Sequence, residues 1–169
     1  MIIVKIFVSL MIIICATYIG ILISKKYIYR LQELDEIKNC FNVMSTKIKF
    51  TYEPIIEIFE EISEISSPTI KNMYRNIIEN IEKYGTKEGW KKGILKTDMS
   101  INKEDKEILI GFGKMLGKTD KDGQLSEICL IESLLDRQIK YAELEKSKNE
   151  KLYKKLGLIT GIGLVIILV

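Results

Sequence analysis

The sequence predicts an all-α protein: a cytoplasmic helical bundle of about six helices, with a transmembrane helix at each end. Three observations support this class. The chain of 169 residues is apolar at both ends and highly charged between them. Apolar residues recur at helical spacings of three and four, and no segment alternates with the period of two typical of a strand. Glycine, proline and capping residues divide the charged part into segments of helical length.

The N-terminal apolar segment is predicted to be a retained membrane anchor. Residues 6–24 carry no charge, and about 20 apolar residues suffice for a helix to cross the hydrocarbon core. A cleaved signal peptide is disfavoured because the run is long and no A-x-A site follows it. Three cations follow at once: Lys25, Lys26 and Arg30. They predict, by the positive-inside rule, that the following chain lies in the cytoplasm.

The C-terminal segment is uncharged but short. Residues 156–169 number 14, and a helix of that length spans about 21 Å of a core about 30 Å thick. Leu152 and Tyr153 extend its reach if the neighbouring lysines snorkel; a buried core helix is the alternative. The predicted domains are an anchor (1–25), a cytoplasmic bundle (26–151) and a C-terminal transmembrane segment (152–169), with both termini outside.

A small-residue motif lies in the C-terminal segment. Gly157 and Gly161 form G-x-x-x-G, which lets another helix approach closely in a membrane. Glycine is also simply common in membrane helices. If the motif packs a helix, Ala16 and Gly20 of the first segment are the simplest partners.

The first three helices of the bundle are marked by apolar stripes and breaks. The membrane helix is predicted to continue along Leu31, Leu34, Ile37, Phe41, Met44 and Ile48. A second helix starts at Pro54, and residues 66–68 separate it from a third that ends at Gly85. Their predicted inward residues are Ile55, Ile58, Phe59, Ile62, Ile65, Ile70, Met73, Ile77, Ile81 and Tyr84.

Two short helices and a long one complete the predicted bundle. Thr86 is expected to cap the fourth helix and Asn102 the fifth. Gly117 fits the position after the fifth helix, and Thr119 or Asp120 starts the last. The apolar residues predicted to face inward are Trp90, Ile94, Leu95, Ile108, Leu109, Phe112, Leu116, Leu125, Ile128, Leu135, Ile139 and Ala142.

The last helix is predicted to continue into the membrane. No glycine or proline interrupts it between Gln124 and Leu156. Residues 143–151 are polar on nearly every face, which indicates a bare stalk between the bundle and the bilayer.

The composition argues against catalysis and nucleic-acid binding. The chain has no histidine, so it lacks a Ser-His-Asp triad and an H-E-x-x-H metal site. Its 26 Lys and Arg nearly balance 23 Asp and Glu. The chain therefore lacks the excess of positive charge that is typical of a nucleic-acid-binding protein. No C-x-x-C pair occurs, and Cys40 and Cys129 are expected to be reduced and structural. We therefore expect no enzyme activity, cofactor, metal or nucleic-acid partner.

One string looks like the end of a phosphate-binding loop but fails in detail. Residues 117–119 read Gly-Lys-Thr, yet the position five residues before Gly117 is Phe112 where the motif needs glycine. A helix precedes the string where the motif needs a strand. Nucleotide binding is therefore not expected.

Four strings carry a resemblance to a known family. GFGKMLGKTDKDGQ (111–124) and NEKLYKKLGLITGIGLVIILV (149–169) are the longer two, and FTYEPIIEIF (50–59) and EGW (88–90) the shorter. With them the chain resembles, over its whole length, the stage III sporulation protein AB family of endospore-forming bacteria. That family is similar in turn to the inner-membrane platform protein of type II secretion and type IV pilus systems.

The resemblance implies a non-enzymatic membrane platform of a secretion-like, feeding-tube channel complex. Such a protein would lie in the mother-cell membrane around the forespore. Its implied partners are a cytoplasmic hexameric secretion-type ATPase, like stage III sporulation protein AA, and other membrane subunits of the channel. A homo-oligomer is compatible with the sequence. The alternative is a membrane-anchored regulatory or signalling helical stalk, although the parts outside the cytoplasm are too short to bind much.

The resemblance also points to a candidate interface between the last two helices. The family motif F-G-x-x-L-G-x-x-D-x-x-x-Q falls on Phe112, Gly113, Leu116, Gly117, Asp120 and Gln124. The family often has Glu where this chain has Lys114, so any ATPase contact there must be made differently. The expected interface residues are Lys114, Gly117, Lys118, Asp120, Lys121 and Gln124. A plain helix junction would need the same residue types.

Overall fold

The computed structural model describes residues 2–51, 53–116 and 120–168. These residues form six α-helices and no strand, which confirms the predicted all-α class. The helices are α1 (Ile2–Phe50), α2 (Ile55–Ile65), α3 (Pro68–Tyr84), α4 (Thr86–Lys96), α5 (Lys103–Phe112) and α6 (Lys121–Leu168). The predicted break at Ser66–Pro68 is confirmed, with Pro68 as the first residue of α3. Proline suits that position because its missing N–H has no helical partner there.

The chain divides into two compact units. The end unit comprises Met1–Leu31 and Tyr141–Val169, and the bundle unit comprises Gln32–Lys140. The bundle unit therefore contains α2 to α5 with parts of α1 and α6. Most of the predicted apolar stripes are buried in it, including Leu34, Ile37, Phe41, Met44, Ile58, Phe59, Ile62, Ile77, Ile128 and Leu135.

Trp90 lies at the centre of the bundle core. Its side chain is buried, and its Nε1–H donates to the Leu109 carbonyl at 2.7 Å. Four aromatic rings surround it, with centroids 5.1 to 6.5 Å away: Phe112, Phe59, Phe41 and Tyr74. The short helix α4 thus contributes one large residue that fills the space between longer helices, as the sequence predicted.

Helices α3 and α4 form a tight hairpin because glycines let their backbones touch. A Cβ atom on Gly89 would lie 2.4 Å from Ile81 Cα, and one on Gly93 would lie 2.5 Å from Ile77 Cα. Gly85 connects the helices with a positive φ of 77°, which glycine adopts without strain. The predicted cap at Thr86 is wrong: Gly85 is the N-cap of α4, and Thr86 is already its first residue.

Polar side chains hold the ends of α3 and α5. Asn102 and Asp105 form a reciprocal capping box, with both hydrogen bonds at 2.9 Å, which confirms the predicted Asn102 cap. Two carboxylates of α1 accept hydrogen bonds from loop backbone. Glu36 accepts from Ser67 N–H and Glu33 from Ser100 N–H, each at 2.6 Å. These contacts fix both loops against α1.

Glu33 gives the bundle a pH-dependent contribution to stability. Burial raises the pKa of this carboxyl, and the backbone N–H groups of Ser100 and Ile101 oppose the shift in part. The folded state binds the proton on Glu33 more tightly than the unfolded state does. The resulting gain in folding stability is therefore complete below the pKa of Glu33 in the unfolded chain, about 4.3. It is lost as pH rises through the raised folded value.

We expect Glu33→Gln to change the pH profile of thermal unfolding. Position 33 of the variant cannot ionise. The melting temperature of the variant should therefore rise relative to that of the wild type as pH increases from about 4 to 7. Below about pH 4 the difference should be constant, because Glu33 is then protonated in both states. Circular dichroism melts at several pH values measure this. A difference that does not change with pH would contradict the expectation.

Several predicted core residues are not buried. Ile65, Tyr84 and Leu95 are 74%, 53% and 54% exposed. Ile65 and Tyr84 are the last residues of their helices, where the helical face turns out of the core. Leu95 lies on the outer face of α4, and Leu125 is only half-buried. Cys40 is buried and burial raises the pKa of its thiol, but Cys129 is exposed, so a packing role is wrong for Cys129.

The end unit pairs the N-terminal part of α1 with the C-terminal part of α6. Arg30 is buried, and its Nη1 donates to Glu145 Oε2 at 2.5 Å. The rings of Tyr27 and Tyr153 stack at 5.8 Å. Residues 143–151 were predicted to be a bare stalk, and this is wrong because Glu145 pairs with α1.

Helix α1 is a candidate membrane span. Among the described residues it alone is long and apolar enough to cross a bilayer. Few of its apolar residues near the N-terminus are buried in the protein; Phe7 and Tyr18, for example, are 64% and 60% exposed. An apolar surface of this kind is what a lipid-facing helix presents.

Candidate functional site

The candidate site is the α5–α6 turn, defined as residues 113–124. Helix α5 ends at Phe112, four residues before the predicted end at Leu116. Residues 113–116 then form turns, with Lys114 N–H donating to Gly111 O and Met115 N–H to Phe112 O, both at 3.1 Å. Gly117, Lys118 and Thr119 lie outside the described residues.

Gly113 packs closely against the Trp90 side chain. Its φ of −62° is ordinary, so no backbone strain calls for glycine. A Cβ atom there would, however, lie 2.4 Å from Trp90 Cδ1. The turn is therefore packed directly on the central aromatic residue, and Leu116 is also buried. Both residues hold the start of the turn against the core.

The second half of the turn is the capped start of α6. Asp120 Oδ1 accepts from Gly123 N–H at 3.0 Å, and Gln124 N–H donates to Asp120 O at 3.0 Å. Asp120 is therefore the N-terminal cap, as predicted. The side chain of Lys121 contacts α1, and its Nζ donates to the Lys49 carbonyl at 2.6 Å. This last bond ties the turn to the end of α1.

A shallow groove of about 340 Å³ opens beside the turn. It is lined by Ile48, Thr51, Glu53, Ile55, Ile58, Leu116, Lys121 and Gln124. Glu53 accepts a hydrogen bond from Lys47 at 3.3 Å. Lys47 also pairs with Glu61, and the hydrogen bond to Glu61 raises the pKa of Lys47. The groove thus joins apolar and charged groups in one surface.

The predicted interface residues are only partly brought together. Lys121 and Gln124 line the groove, whereas Lys114 and Asp120 are exposed on the turn. The sequence did not predict the contributions of Glu53 and Lys49. Glu53 carries no distinguishing signal, and the Lys49 contact uses a backbone carbonyl, which any residue supplies.

The predicted membrane-packing glycines lie against the first helix. In the end unit, a Cβ atom on Gly157 would lie 2.8 Å from the Ala16 carbonyl oxygen. One on Gly161 would lie 3.0 Å from Ile13 Cα, and one on Gly20 would lie 2.5 Å from the Tyr153 carbonyl oxygen. The two helices touch through small residues at these positions.

The described residues of the site form a surface of charged and apolar groups. Within residues 2–51, 53–116 and 120–168, no group of three or more Cys, Asp or Glu side chains could hold a metal ion. The turn instead combines exposed charge, an apolar groove and a rigid attachment to the core. Charged rims of this kind set the rate and orientation of protein association.

The fold and the site define an all-α protein with a candidate membrane span and an exposed charged turn. The family described as stage III sporulation protein AB matches residues 5–169. The chain belongs to this family, which gives it a sporulation-related role.

A relative and a solved structure both carry the name of this family. Stage III sporulation protein AB of Bacillus subtilis (strain 168) is 23% identical over 164 residues, covering 95% of this chain and 96% of that one. A solved structure of stage III sporulation protein AB superposes with a TM-score of 0.64 at 19% identity. It covers 71% of this chain and 98% of its own. At this identity the structural likeness supports the fold alone.

Proposed function

We propose that this protein is a non-enzymatic platform subunit of a secretion-like complex in sporulation. The α5–α6 turn docks a cytoplasmic secretion-type ATPase. One observation carries the proposal: the exposed turn is the start of α6, and α6 then continues as one helix of 48 residues into the apolar C-terminal segment. A partner held at the turn therefore acts on the same helix that ends in the segment proposed to enter the membrane.

Both chain ends are proposed to enter the membrane, with the bundle unit in the cytoplasm. Cations flank each apolar segment on the bundle side: Lys25, Lys26, Lys151, Lys154 and Lys155. Contact of Gly157 with Ala16 and of Gly20 with Tyr153 supports a membrane hairpin, because small residues allow close helix packing in lipid. The lipid-facing sides remain available to other membrane subunits of the channel.

The proposed mechanism is mechanical coupling through a rigid element. ATPase motion at the turn displaces α6, and a continuous helix carries a displacement along its axis. The Lys121 bond to Lys49 and the packing of Gly113 on Trp90 hold the turn to the bundle.

A topology reporter tests the membrane part of the proposal. A reporter active only outside the cytoplasm should be active when fused after Val169 and silent when inserted near Gly85. Gly85 is an exposed connection between α3 and α4, so it is accessible for an insertion. Activity at Gly85, or silence after Val169, would reject the hairpin.

Charge reversal tests the docking surface. We expect Lys114→Glu with Lys118→Glu to weaken binding of a purified secretion-type ATPase by about tenfold or more, because like charges facing each other cost several kcal/mol. Lys121 is left unchanged, since its reversal would also break the bond to Lys49. Binding to the full-length protein in detergent is measured, and sporulation of the variant strain should fail.

A matched control pair lies on α6, away from the turn. Arg137→Glu with Lys140→Glu reverses two exposed charges away from the turn. This pair should bind the ATPase like the wild type. If both double variants bind equally well, the docking surface lies elsewhere. If the wild type itself does not bind the ATPase, the platform function is rejected.

A further inference from the structure

An acidic groove runs between α2 and α3 in the bundle unit. It has a volume of about 490 Å³, and its lining includes Ile78 and five charged side chains: Glu60, Glu64, Arg75, Glu79 and Glu82. Four carboxylates and one guanidinium line the groove, so acidic side chains predominate. Ile78 is half-buried and supplies an apolar part of the surface.

A basic ridge lies on the outer face of α4. Its exposed charges are Lys87, Glu88, Lys91, Lys92 and Lys96, with a net charge of three positive units. Two apolar side chains accompany them: Tyr84 at the start of the ridge and Leu95 near its end are 53% and 54% exposed. Lys92 Nζ lies 3.4 Å from the centroid of the Tyr84 ring, which braces both side chains.

The groove and the ridge keep charges that the chain itself does not neutralise. Glu64 is paired with Lys71 and Arg75, and Glu79 with Lys83 and Lys96. Within the described part of the chain, Glu60 and Glu82 in the groove have no ion-pair partner. The same holds for Lys87 and Lys91 on the ridge. The groove therefore has unpaired negative charges, and the neighbouring ridge has unpaired positive charges.

We propose that the basic ridge of one copy binds in the acidic groove of a second copy. The two surfaces adjoin, because α3 both lines the groove and packs on α4, and the Glu79–Lys96 pair joins them at 3.2 Å. A two-fold axis near this pair places each ridge against the partner's groove. Such an interface is self-complementary, as a symmetric dimer requires.

Charge and exposed apolar side chains both favour a second copy as the occupant. The unpaired Glu60 and Glu82 of one copy would meet the unpaired Lys87 and Lys91 of the other, so both contacts of the dimer are attractive. Leu95 and Tyr84 are exposed apolar groups on the ridge, and Ile78 offers an apolar contact within the groove. The groove and the ridge share no described residue with the α5–α6 turn.

Crosswise charge reversal tests the dimer with the full-length protein in detergent. One variant reverses the ridge (Lys87→Glu with Lys91→Glu), and a second reverses the groove (Glu60→Lys with Glu82→Lys). Each alone then has two like-charged surfaces, and its dimer should dissociate about tenfold or more readily in sedimentation velocity. An equal mixture of the two variants should dimerise like the wild type, because both contacts are attractive again.

Further measurements make each outcome decisive. A chain that carries all four reversals should also dimerise, and high salt should weaken every dimer. Unchanged circular dichroism spectra show that the variants fold. A wild type that stays monomeric at all concentrations overturns the proposal, as does a dimer unaffected by either reversal. If both reversals abolish association and the mixture does not restore it, the two surfaces serve other partners.

Discussion

Replacing Trp90 with alanine is expected to lower the free energy of unfolding by about 3–5 kcal/mol. The substitution removes the largest buried side chain, leaves a cavity among four aromatic rings and deprives the Leu109 carbonyl of its donor. The melting temperature of the protein should fall by about 10 °C or more. Because Gly113 packs on the Trp90 ring, the α5–α6 turn should loosen and ATPase binding should weaken as well.

A conservative variant separates packing from hydrogen bonding at Trp90. Trp90→Phe keeps an aromatic ring in the core but cannot donate to the Leu109 carbonyl. It should therefore lower the free energy of unfolding by less than Trp90→Ala does. Thermal melts of both variants followed by circular dichroism give the comparison. An unchanged melt for Trp90→Ala would show that the indole does not support the core.

The second large effect is expected from Gly89→Ala combined with Gly93→Ala. Each added Cβ atom would meet backbone of α3, at Ile81 and Ile77, and backbone cannot move aside as a flexible side chain can. The two helices must separate along their contact, which should cost about 3 kcal/mol or more. Denaturant unfolding of the full-length protein measures the loss.

Gly111→Ala is the matched control for this pair. A Cβ atom on Gly111 meets nothing within 4 Å, although the residue lies in a helix like the other two. Alanine there should stabilise the protein by about 0.5–1 kcal/mol, because glycine is a poor helix former. Equal effects at all three positions would mean that close helix approach is not the reason for Gly89 and Gly93.

Local signals in the sequence were sufficient to predict much of the fold. The Asn102 cap and the Ser66–Pro68 break were correctly predicted, because each depends on residues within a few positions. The burial of Trp90 was also correctly predicted from the apolar pattern of its helix, although the rings around it lie in other helices. One error concerns a contact between distant segments, and another concerns the first residue of a helix. Arg30 and Glu145 pair across 115 positions in the sequence, so the polar segment around Glu145 appeared to have no partner. Thr86 resembled a cap, but the positive φ of Gly85 let that residue serve α3 and α4 at once.

The candidate site was less predictable than the fold. The family motif indicated residues near the α5–α6 turn, and the Asp120 cap was correct. The close packing of Gly113 against Trp90 joins residues of two different helices. The Lys121 contact uses a backbone carbonyl, and the groove beside it forms only when α1, α2 and α6 meet. A single sequence carries no signal for either.

Site-specific crosslinking in sporulating cells tests the platform function most directly. A photo-crosslinking residue at position 114 is placed on the turn, and one at position 137 on the exposed face of α6 serves as the control. The proposed function predicts that position 114 crosslinks to the secretion-type ATPase and that position 137 does not. Absence of the ATPase from the crosslinks of position 114, with its capture at position 137, would contradict docking at the turn.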